Sequence, residues 1–143
     1  MNRKKLIKRL QEEEGLSLKL YKCPAGKWTI GYGRNLEAKG ISRAEACMML
    51  ANDLTDAIHQ CEKNILYFAA LPANVQEVLV DMCFNMGIGN LLLFKKMLTA
   101  ISKGYYLTAS DELMDSKYAR SKWTRRRAER NCEILRGNSE TKT

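Results

Sequence analysis

The chain has 143 residues, of which 45% are hydrophobic and 28% charged, and its formal net charge is +8. This composition supplies the core of one domain and argues against wholesale disorder, and no apolar run approaches the ~20 residues that span a bilayer. The basic first ten residues lack the apolar segment of a secretory signal peptide, so we expect synthesis without one. The positive charge favours a polyanionic partner, which leaves nucleic acid, anionic lipid and an acidic cell-wall polymer.

Five cysteines and one histidine limit the disulfide and metal chemistry of the chain. An odd number of cysteines without a CxxC pair predicts free thiols and synthesis in a reducing compartment. The only histidine, His59, is expected on a helix surface. We therefore expect neither a metal site nor a cofactor.

The first third of the chain combines a helix with a small β structure. An apolar stripe at helical spacing predicts an amphipathic helix from about residue 3 to Glu14, which Gly15 would end. Residues 16–33 carry two runs of strand formers separated by a turn that contains proline and glycine. They predict a β-hairpin, the only β structure expected.

The rest of the chain is predicted to be helical. The S-x-x-E pattern that begins at Ser42 is a capping box and predicts a helix through about residue 59 or 66. Pro72 suits the first position of another helix, whose apolar stripe marks a core face and which Gly87 would end. Further helices are predicted at 94–102, 108–116 and 125–136, the last capped by Thr124 and stopped by Gly137, with a frayed tail at 138–143.

Three side chains near the hairpin are candidates for catalysis. Glu14 lies at the predicted end of the first helix, where the negative end of the helix dipole favours a protonated carboxyl group. Because the hairpin folds back, Cys23 in the turn and Thr29 on the strand can surround the same cleft. The alternative interpretations are a solvated acidic run for Glu14, an incidental small residue for Cys23 and a strand former for Thr29.

The segment 14–33 resembles the active-site segment of the T-even phage lysozymes, which are endolysins of glycoside hydrolase family 24. The family pattern is a Glu, eight residues, an Asp or Cys, five residues and a Thr, which is the first residue of the TIGxG run that ends the pattern. The chain fits its Cys-containing branch with Glu14, Cys23 and Thr29. Matches continue with DMCFNMG at 81–87, SKY at 116–118, where the family has SRW, and RAER at 127–130. Two positions depart from common members: Cys23 replaces an Asp, and Arg34, which could still form an ion pair, replaces a His.

The resemblance implies hydrolysis, with inversion, of the β-1,4 bond between N-acetylmuramic acid and N-acetylglucosamine in peptidoglycan. Glu14 would protonate the leaving oxygen while Thr29 holds the attacking water. Cys23 would act as a base or help to place that water, and cations such as Lys22 and Lys27 would make its thiolate available. Covalent attack by the thiolate, which would give retention, is the second possibility.

The downstream matches imply roles in substrate binding. By resemblance, Asp81 and Asn85 would hydrogen-bond the acetamido groups of the sugars, and Lys117 would lie in the same site. Phe84 and Tyr118 would pack on sugar rings, although core packing explains them equally well. Arg127 would lie beside Glu14.

The fold implied is α+β and predominantly α, a lysozyme-like two-lobed domain over residues 1–143. A small lobe with the hairpin would occupy about 15–40, a connecting helix about 42–66 and a larger helical lobe about 72–137. The protein is expected to act as a monomer on peptidoglycan glycan strands, without nucleic acid or stable membrane insertion. Folded in the host cytoplasm, it would reach the periplasm and cell wall through a phage holin.

Three other functions remain open at the level of sequence. The arginine cluster at 125–127 and the overall charge suit a nucleic-acid-binding module. A lysozyme homologue with weak or no catalysis would bind the cell wall. A lytic transglycosylase would need only the acid and would form an anhydro-sugar end without consuming water.

Overall fold

The computed structural model describes residues 1–138, so the predicted frayed tail lies, from residue 139 on, outside the described residues. In the described part, short strands near the N-terminus are followed almost entirely by helices, which confirms a predominantly α, α+β fold. The helices are α1 (Arg3–Glu14), α2 (Leu36–Lys39), α3 (Arg43–Asn64), α4 (Ala73–Met86), α5 (Ile88–Leu91), α6 (Lys95–Ser102), α7 (Tyr106–Met114), α8 (Lys117–Arg120) and α9 (Arg125–Arg136). The strands are β1 (Ser17–Lys22), β2 (Trp28–Gly31) and β3 (Arg34–Asn35). The chain divides into two compact units, Met1–Met49 and Leu50–Thr143, with the boundary inside α3.

The N-terminal unit is organised by caps and turns. Helix α1 has the predicted bounds: the Asn2 side chain accepts a hydrogen bond from the Lys5 amide (2.9 Å), and Gly15 follows the last turn. The hairpin is also confirmed, and β2 lies in the centre of an antiparallel sheet of order β1-β2-β3. The third strand and α2 were not predicted, because elements of two and four residues are too short to show periodicity.

The capping box at the start of α3 is confirmed. The Ser42 hydroxyl accepts a hydrogen bond from the Glu45 amide (3.1 Å) and donates one to the Glu45 carboxylate (2.9 Å). The helix runs to Asn64, within the predicted range, and His59 is exposed as expected. The connecting role given to this helix, and the single-domain organisation, stay predictions.

The C-terminal unit contains the hydrophobic core of the described chain. Its largest fully buried side chains are Leu79, Met82, Leu91, Met97, Ile101, Leu113, Leu135, Val75 and Val78. They come from α4, α5, α6, α7 and α9, and α7 packs against both α6 and α9. The apolar stripe predicted for α4 is therefore a core face, and that helix ends before Gly87 as predicted.

Several details of the helical prediction were wrong. Pro72 is the cap residue of α4 rather than its first helical residue, since its carbonyl accepts from the Val75 amide (3.0 Å). Thr124 is the cap residue of α9, but its side chain accepts no hydrogen bond from the first turn, and its hydroxyl donates to the carbonyl of Tyr118. Helix α7 begins two residues before the predicted start, and the four-residue helices α5 and α8 were missed.

All five cysteines are free, as predicted. Cys61, Cys83 and Cys132 are buried, whereas Cys23 is half-buried and Cys47 exposed. Burial raises the pKa of Cys61 to about 12 and moves the pKa of Cys83 and Cys132 in the same direction. None of the described helices is long and apolar enough to cross a membrane.

Candidate active site

Glu14 is the last residue of α1. Its carboxylate lies against the backbone of Gly33, in the turn between β2 and β3. A Cβ atom built on Gly33 would come within 2.6 Å of Oε2 of Glu14 and 3.1 Å of its Cδ. Gly33 also has a φ of +73°, which residues with a side chain rarely adopt. The last glycine of the TIGYG run is therefore what allows the carboxylate to approach this turn.

Cys23 and Thr29 are brought together where β1 and β2 flank the tight turn. The Cys23 amide donates to the carbonyl of Lys27 (3.0 Å) and closes the turn. Thr29, on the central strand and only 3% exposed, donates its hydroxyl to the same carbonyl (2.8 Å). The hydroxyl also interacts with the Cys23 side chain. Two of the three predicted catalytic residues thus share the backbone of Lys27 as a hydrogen-bond partner.

The Cys23 thiol is biased towards its thiolate by the backbone. Hydrogen bonding to the backbone of Lys27 is the largest influence that lowers its pKa below the ordinary value of 9.0, with smaller contributions from Ala25 and the Thr29 hydroxyl. The cations suggested by the sequence are engaged elsewhere: Nζ of Lys22 lies 4.9 Å from the centre of the Trp28 ring, and Nζ of Lys27 lies 3.8 Å from Glu37. The pKa of Cys23 is lowered as expected, but the cause is hydrogen bonding to the backbone of the turn and not a neighbouring cation.

Arg34 forms the ion pair expected of it, with Glu45 at the start of α3. Its hydrogen bond to Glu45, followed by that of Ser42, holds the pKa of the Glu45 carboxyl below its ordinary value. The guanidinium also donates to the carbonyl of Gly40 (3.4 Å). Arg34 therefore ties the third strand to the first turn of α3.

In the C-terminal unit, Asp81 contacts two residues of α9. Its Oδ2 accepts a hydrogen bond from the side-chain Nδ2 of Asn131 (2.9 Å), and its Oδ1 forms an ion pair with Nε of Arg127 (3.6 Å). Asn131 is buried and was missed by the sequence analysis. The one feature of the sequence that could have identified Asn131 is its position. It is a polar residue one turn after Arg127, on the helix face that carries the buried Ala128 and Leu135.

The two aromatic residues predicted to pack on sugar rings, Tyr118 and Phe84, differ in their contacts and exposure. The Tyr118 hydroxyl donates to Oδ1 of Asn85 (3.0 Å), and its ring packs edge-on against Phe94 with the ring centres 6.2 Å apart. Burial raises the pKa of Tyr118. Phe84 is 40% exposed and lines a pocket, so it is not a simple core residue, and Lys117 is exposed.

The structure thus groups the predicted site residues within each unit. Glu14, Cys23 and Thr29 belong to the N-terminal unit, and Asp81 pairs with Arg127 and Asn85 with Tyr118 in the C-terminal unit. The catalytic and substrate-binding roles, and the placement of Arg127 beside Glu14, stay predictions. In residues 1–138, no three histidine, cysteine or carboxylate side chains cluster in the manner of a metal site.

The glutamate at the end of α1 and the cysteine and threonine of the hairpin thus stand in an α+β fold, at the spacing of the phage lysozyme pattern. The phage lysozyme family matches residues 11–130, and the chain belongs to that family. It is also 32% identical over 120 residues to the endolysin of Acyrthosiphon pisum secondary endosymbiont phage 1. That match covers 82% of this chain and 77% of the endolysin.

Proposed function

We propose that this protein is a phage endolysin that hydrolyses the β-1,4 bond between N-acetylmuramic acid and N-acetylglucosamine in peptidoglycan and so lyses the host cell. Membership of the phage lysozyme family and the likeness to an endolysin support a lysozyme-type glycosidase. The observation that carries the proposal is that Cys23 and Thr29 both hydrogen-bond to the Lys27 carbonyl, in the unit where Gly33 admits the Glu14 carboxylate. A nucleic-acid-binding module is not favoured, because the family match accounts for most of the chain.

Glu14 is the proposed general acid. Cleavage of a glycosidic bond requires a proton on the leaving oxygen as the bond to the anomeric carbon breaks. The Glu14 carboxyl group is exposed, so a sugar oxygen can reach it, and the glycine turn restricts it on one side.

Thr29 is the proposed holder of the attacking water. Its proton is donated to the carbonyl of Lys27, which leaves the lone pairs of its oxygen free to accept a hydrogen bond from water. The water oxygen would then point a lone pair away from the strand, towards the anomeric carbon.

Cys23 is the proposed partner of that water. The backbone hydrogen bonds that favour its thiolate make it a better proton acceptor at neutral pH than an ordinary thiol. Attack by an activated water on the face opposite Glu14 gives inversion, whereas covalent attack by the thiolate gives retention. We propose inversion, because Thr29 offers a place for the water beside the sulfur.

The remaining proposals concern the surroundings of the reaction. Asp81, Phe84, Asn85, Lys117 and Tyr118 would bind the glycan, and Arg127 would support the acid. The protein would act as a monomer, would be stored in the host cytoplasm and would reach the periplasm through a holin.

The test is cleavage of purified peptidoglycan with mass analysis of the products. The unaltered protein is expected to release reducing N-acetylmuramic acid ends, and Glu14→Gln to lower the rate by about 10²–10⁴-fold. Glu13→Gln is the matched control, since Glu13 is an exposed neighbour that pairs with Arg9 at the surface (3.8 Å), and its rate should not change. Cys23→Ser shows whether sulfur is needed, and the anomeric form of the first product distinguishes inversion from retention.

Each other function has a different signature in this experiment. Products lighter by one water would identify a transglycosylase. Binding to the cell wall without cleavage by the folded, unaltered protein would disprove the hydrolase and leave a wall-binding homologue. Full activity of Glu14→Gln would remove Glu14 from the mechanism.

A further inference from the structure

Two buried cysteines of the C-terminal unit, Cys61 on α3 and Cys83 on α4, approach the same backbone carbonyl. The Cys61 thiol donates to the carbonyl of Leu79 (3.7 Å), which stands one helical turn before Cys83. Side chains of a helix lie over the preceding turn, so the Cys83 side chain covers this carbonyl from its own helix. The two thiols also interact with each other through a hydrogen bond. The proposed cleavage uses neither of them.

A pocket of about 450 Å³ marks the junction of the two helices beside this pair. Its lining includes Cys83 from α4 and Ala57 and Gln60 from α3. Cys83 keeps 5% of its surface exposed, whereas Cys61 is 0% exposed. A reagent that enters as the core opens would therefore meet Cys83 before Cys61.

Helix α3 is attached to the core through few side chains, and Cys61 is one of them. Only Ala57 and Cys61 are buried among Arg43–Asn64, whereas six residues of the shorter α4 are buried. The free energy gained by burial follows the apolar area removed from water, and an alanine side chain contributes little. A covalent bond at Cys61 would therefore reinforce the weakest attachment of α3.

We propose that Cys61 and Cys83 are a site of intramolecular disulfide formation, which joins α3 to α4 when the protein meets a disulfide oxidant. Because both side chains already approach the Leu79 carbonyl, bond formation calls for rotation of the side chains rather than rearrangement of the helices. The structure describes the reduced form of this pair.

The exchange begins at Cys83. Burial, and then the neighbouring Cys83, raise the pKa of Cys61 to about 12. Burial also raises the pKa of Cys83, but the hydrogen bond from Cys61 partly opposes that rise, so Cys83 ionises more readily. Its thiolate attacks one sulfur of the oxidant and releases the other sulfur as a thiolate.

The second step closes the bond within the chain. The released thiolate takes the proton of Cys61, whose sulfur attacks Sγ of Cys83 and expels the second half of the oxidant as a thiolate, which is then protonated. The protein has lost two electrons and two protons, and the oxidant disulfide has become two thiols. The product closes the segment 61–83 into a loop, which restricts the unfolded chain and stabilises the fold.

The proposed route of the protein sets the time of oxidation. Thiols stay reduced in the cytoplasm, whereas disulfides persist in the periplasm. The pair would therefore stay reduced during storage and become oxidised after release. This timing rests on the proposed function, whereas formation of the disulfide does not depend on it.

The first test maps the disulfide in the unaltered protein. The chain is unfolded in urea and refolded in a buffer of reduced and oxidised glutathione, and the remaining thiols are then alkylated. Trypsin leaves Cys47 and Cys61 on the same peptide, 44–63, so a second protease that cleaves after aspartate separates them at Asp53 or Asp56 before mass analysis.

Most chains are expected to yield the peptide of Cys61 bonded to the peptide of Cys83. Cys132 is the internal control, because it is equally a core cysteine but its thiol donates to the carbonyl of Ser110 (3.5 Å), and it should be recovered as a thiol. Recovery of Cys61 and Cys83 as two thiols would overturn the proposal. So would a mixed disulfide with glutathione at Cys83 that does not proceed to Cys61.

The second test compares melting temperatures with two matched variants. Cys61→Ala removes one member of the pair, and Cys132→Ala removes a buried sulfur elsewhere in the same core. Oxidation should raise the Tm of the unaltered protein and of Cys132→Ala by about 6–12 °C over their own reduced forms, and that of Cys61→Ala by less than about 2 °C. An equal gain in Cys61→Ala would contradict the assignment. If Cys61→Ala does not fold, Cys61→Val, which fills more of the space, takes its place.

Neither measurement involves peptidoglycan, so the two proposals can fail separately. Formation of the disulfide in a protein that cleaves no glycan would support the pair and remove the hydrolase. Cleavage by a protein whose Cys61 and Cys83 stay reduced after oxidative refolding would do the opposite.

Discussion

The two units of this protein hold their important side chains by different means. Every buried hydrophobic side chain of the described residues lies in the C-terminal unit, whereas Thr29 is the only buried residue among residues 1–49. The N-terminal unit positions its proposed catalytic groups through turns, backbone hydrogen bonds and a glycine contact, all within some twenty residues of sequence. The C-terminal unit positions its polar groups through packing: Asn131 meets Asp81 across 50 residues of sequence. Local geometry therefore fixes the proposed reaction centre, and a packed core fixes the surface proposed to hold the glycan.

The largest expected contrast between the units is in thiol reactivity. A water-soluble disulfide reagent should modify Cys23 and Cys47 of the native protein at least about 10³-fold faster than Cys61, Cys83 and Cys132, which require opening of the core. The Cys23 rate should rise with pH and level off below pH 9.0, because the thiolate reacts and the Cys23 pKa is depressed. Peptide mapping after timed labelling measures each rate. Rapid modification of Cys61 in the native state would contradict a closed core.

The next largest contrast between the units is expected in the loss of stability when a leucine is truncated. Leu79→Ala, at a side chain with 0% exposure, is expected to lower the free energy of unfolding by about 3–4 kcal/mol, which is a several hundredfold change in the folding equilibrium. Leu18→Ala removes the same atoms from a strand residue that is 81% exposed, and should change stability by less than about 0.5 kcal/mol. Urea denaturation followed by circular dichroism measures both. Similar losses of stability at the two positions would contradict the conclusion that the hydrophobic core lies in the C-terminal unit.

The glycine turn should matter to activity more than to stability. Gly33→Ala would force the Glu14 carboxylate aside and is expected to lower the cleavage rate by about 30–100-fold. Gly40→Ala is the matched control, because it also places a side chain at a positive φ (+60°) but with no atom within 4 Å of the new Cβ. Both variants should lose a similar amount of stability, and Gly40→Ala should keep its rate. Equal rates for the two variants would remove the contact with Glu14 from the mechanism.

The smallest effect is expected at the ion pair between Arg34 and Glu45, whose side chains are 29% and 41% exposed. Arg34→Gln should lower Tm by less than about 3 °C at neutral pH. Because Arg34 depresses the pKa of Glu45, the pair stabilises the fold above the ordinary carboxyl value of 4.5, and this contribution is lost as pH falls through the depressed pKa. The Tm values of the unaltered protein and of Arg34→Gln, measured at several pH values, should therefore converge in acid. A difference that persists after Glu45 is protonated would point to packing of the Arg34 stem instead.

The same contrast explains what the sequence reveals. The bounds of α1, the hairpin and the cap of α3 follow from residues within one or two turns of each other, and the sequence predicted them correctly. The hydrogen bonds of Cys23 and Thr29 to the Lys27 carbonyl are equally local, since one turn brings the two strands together. The family pattern pointed to both residues because it lies within one continuous segment, residues 14–33.

The failures involve partners that are remote in sequence or elements that are very short. Thr124 has the side chain of a helix cap, but its hydroxyl donates to the carbonyl of Tyr118, which only the packing of α8 on α9 provides. Asn131 breaks an apolar face, and nothing near it in sequence identifies Asp81 as its partner. The lowered pKa of Cys23 was expected from cations, although backbone amides, which do not appear in a list of residue types, are its cause.

The two tryptophans are divided between the units, with Trp28 on β2 and Trp123 before α9. Both are at least partly exposed, so each contributes intrinsic fluorescence that an added ionic quencher can reach. Trp28→Phe leaves an emission that reports on the C-terminal unit, and Trp123→Phe leaves one that reports on the N-terminal unit. Coincident melting of the two emissions would make the chain one cooperative system, and separate transitions would give each unit its own stability. The placement of two indole rings thus supplies an optical readout of how the coreless and the cored part of this protein unfold.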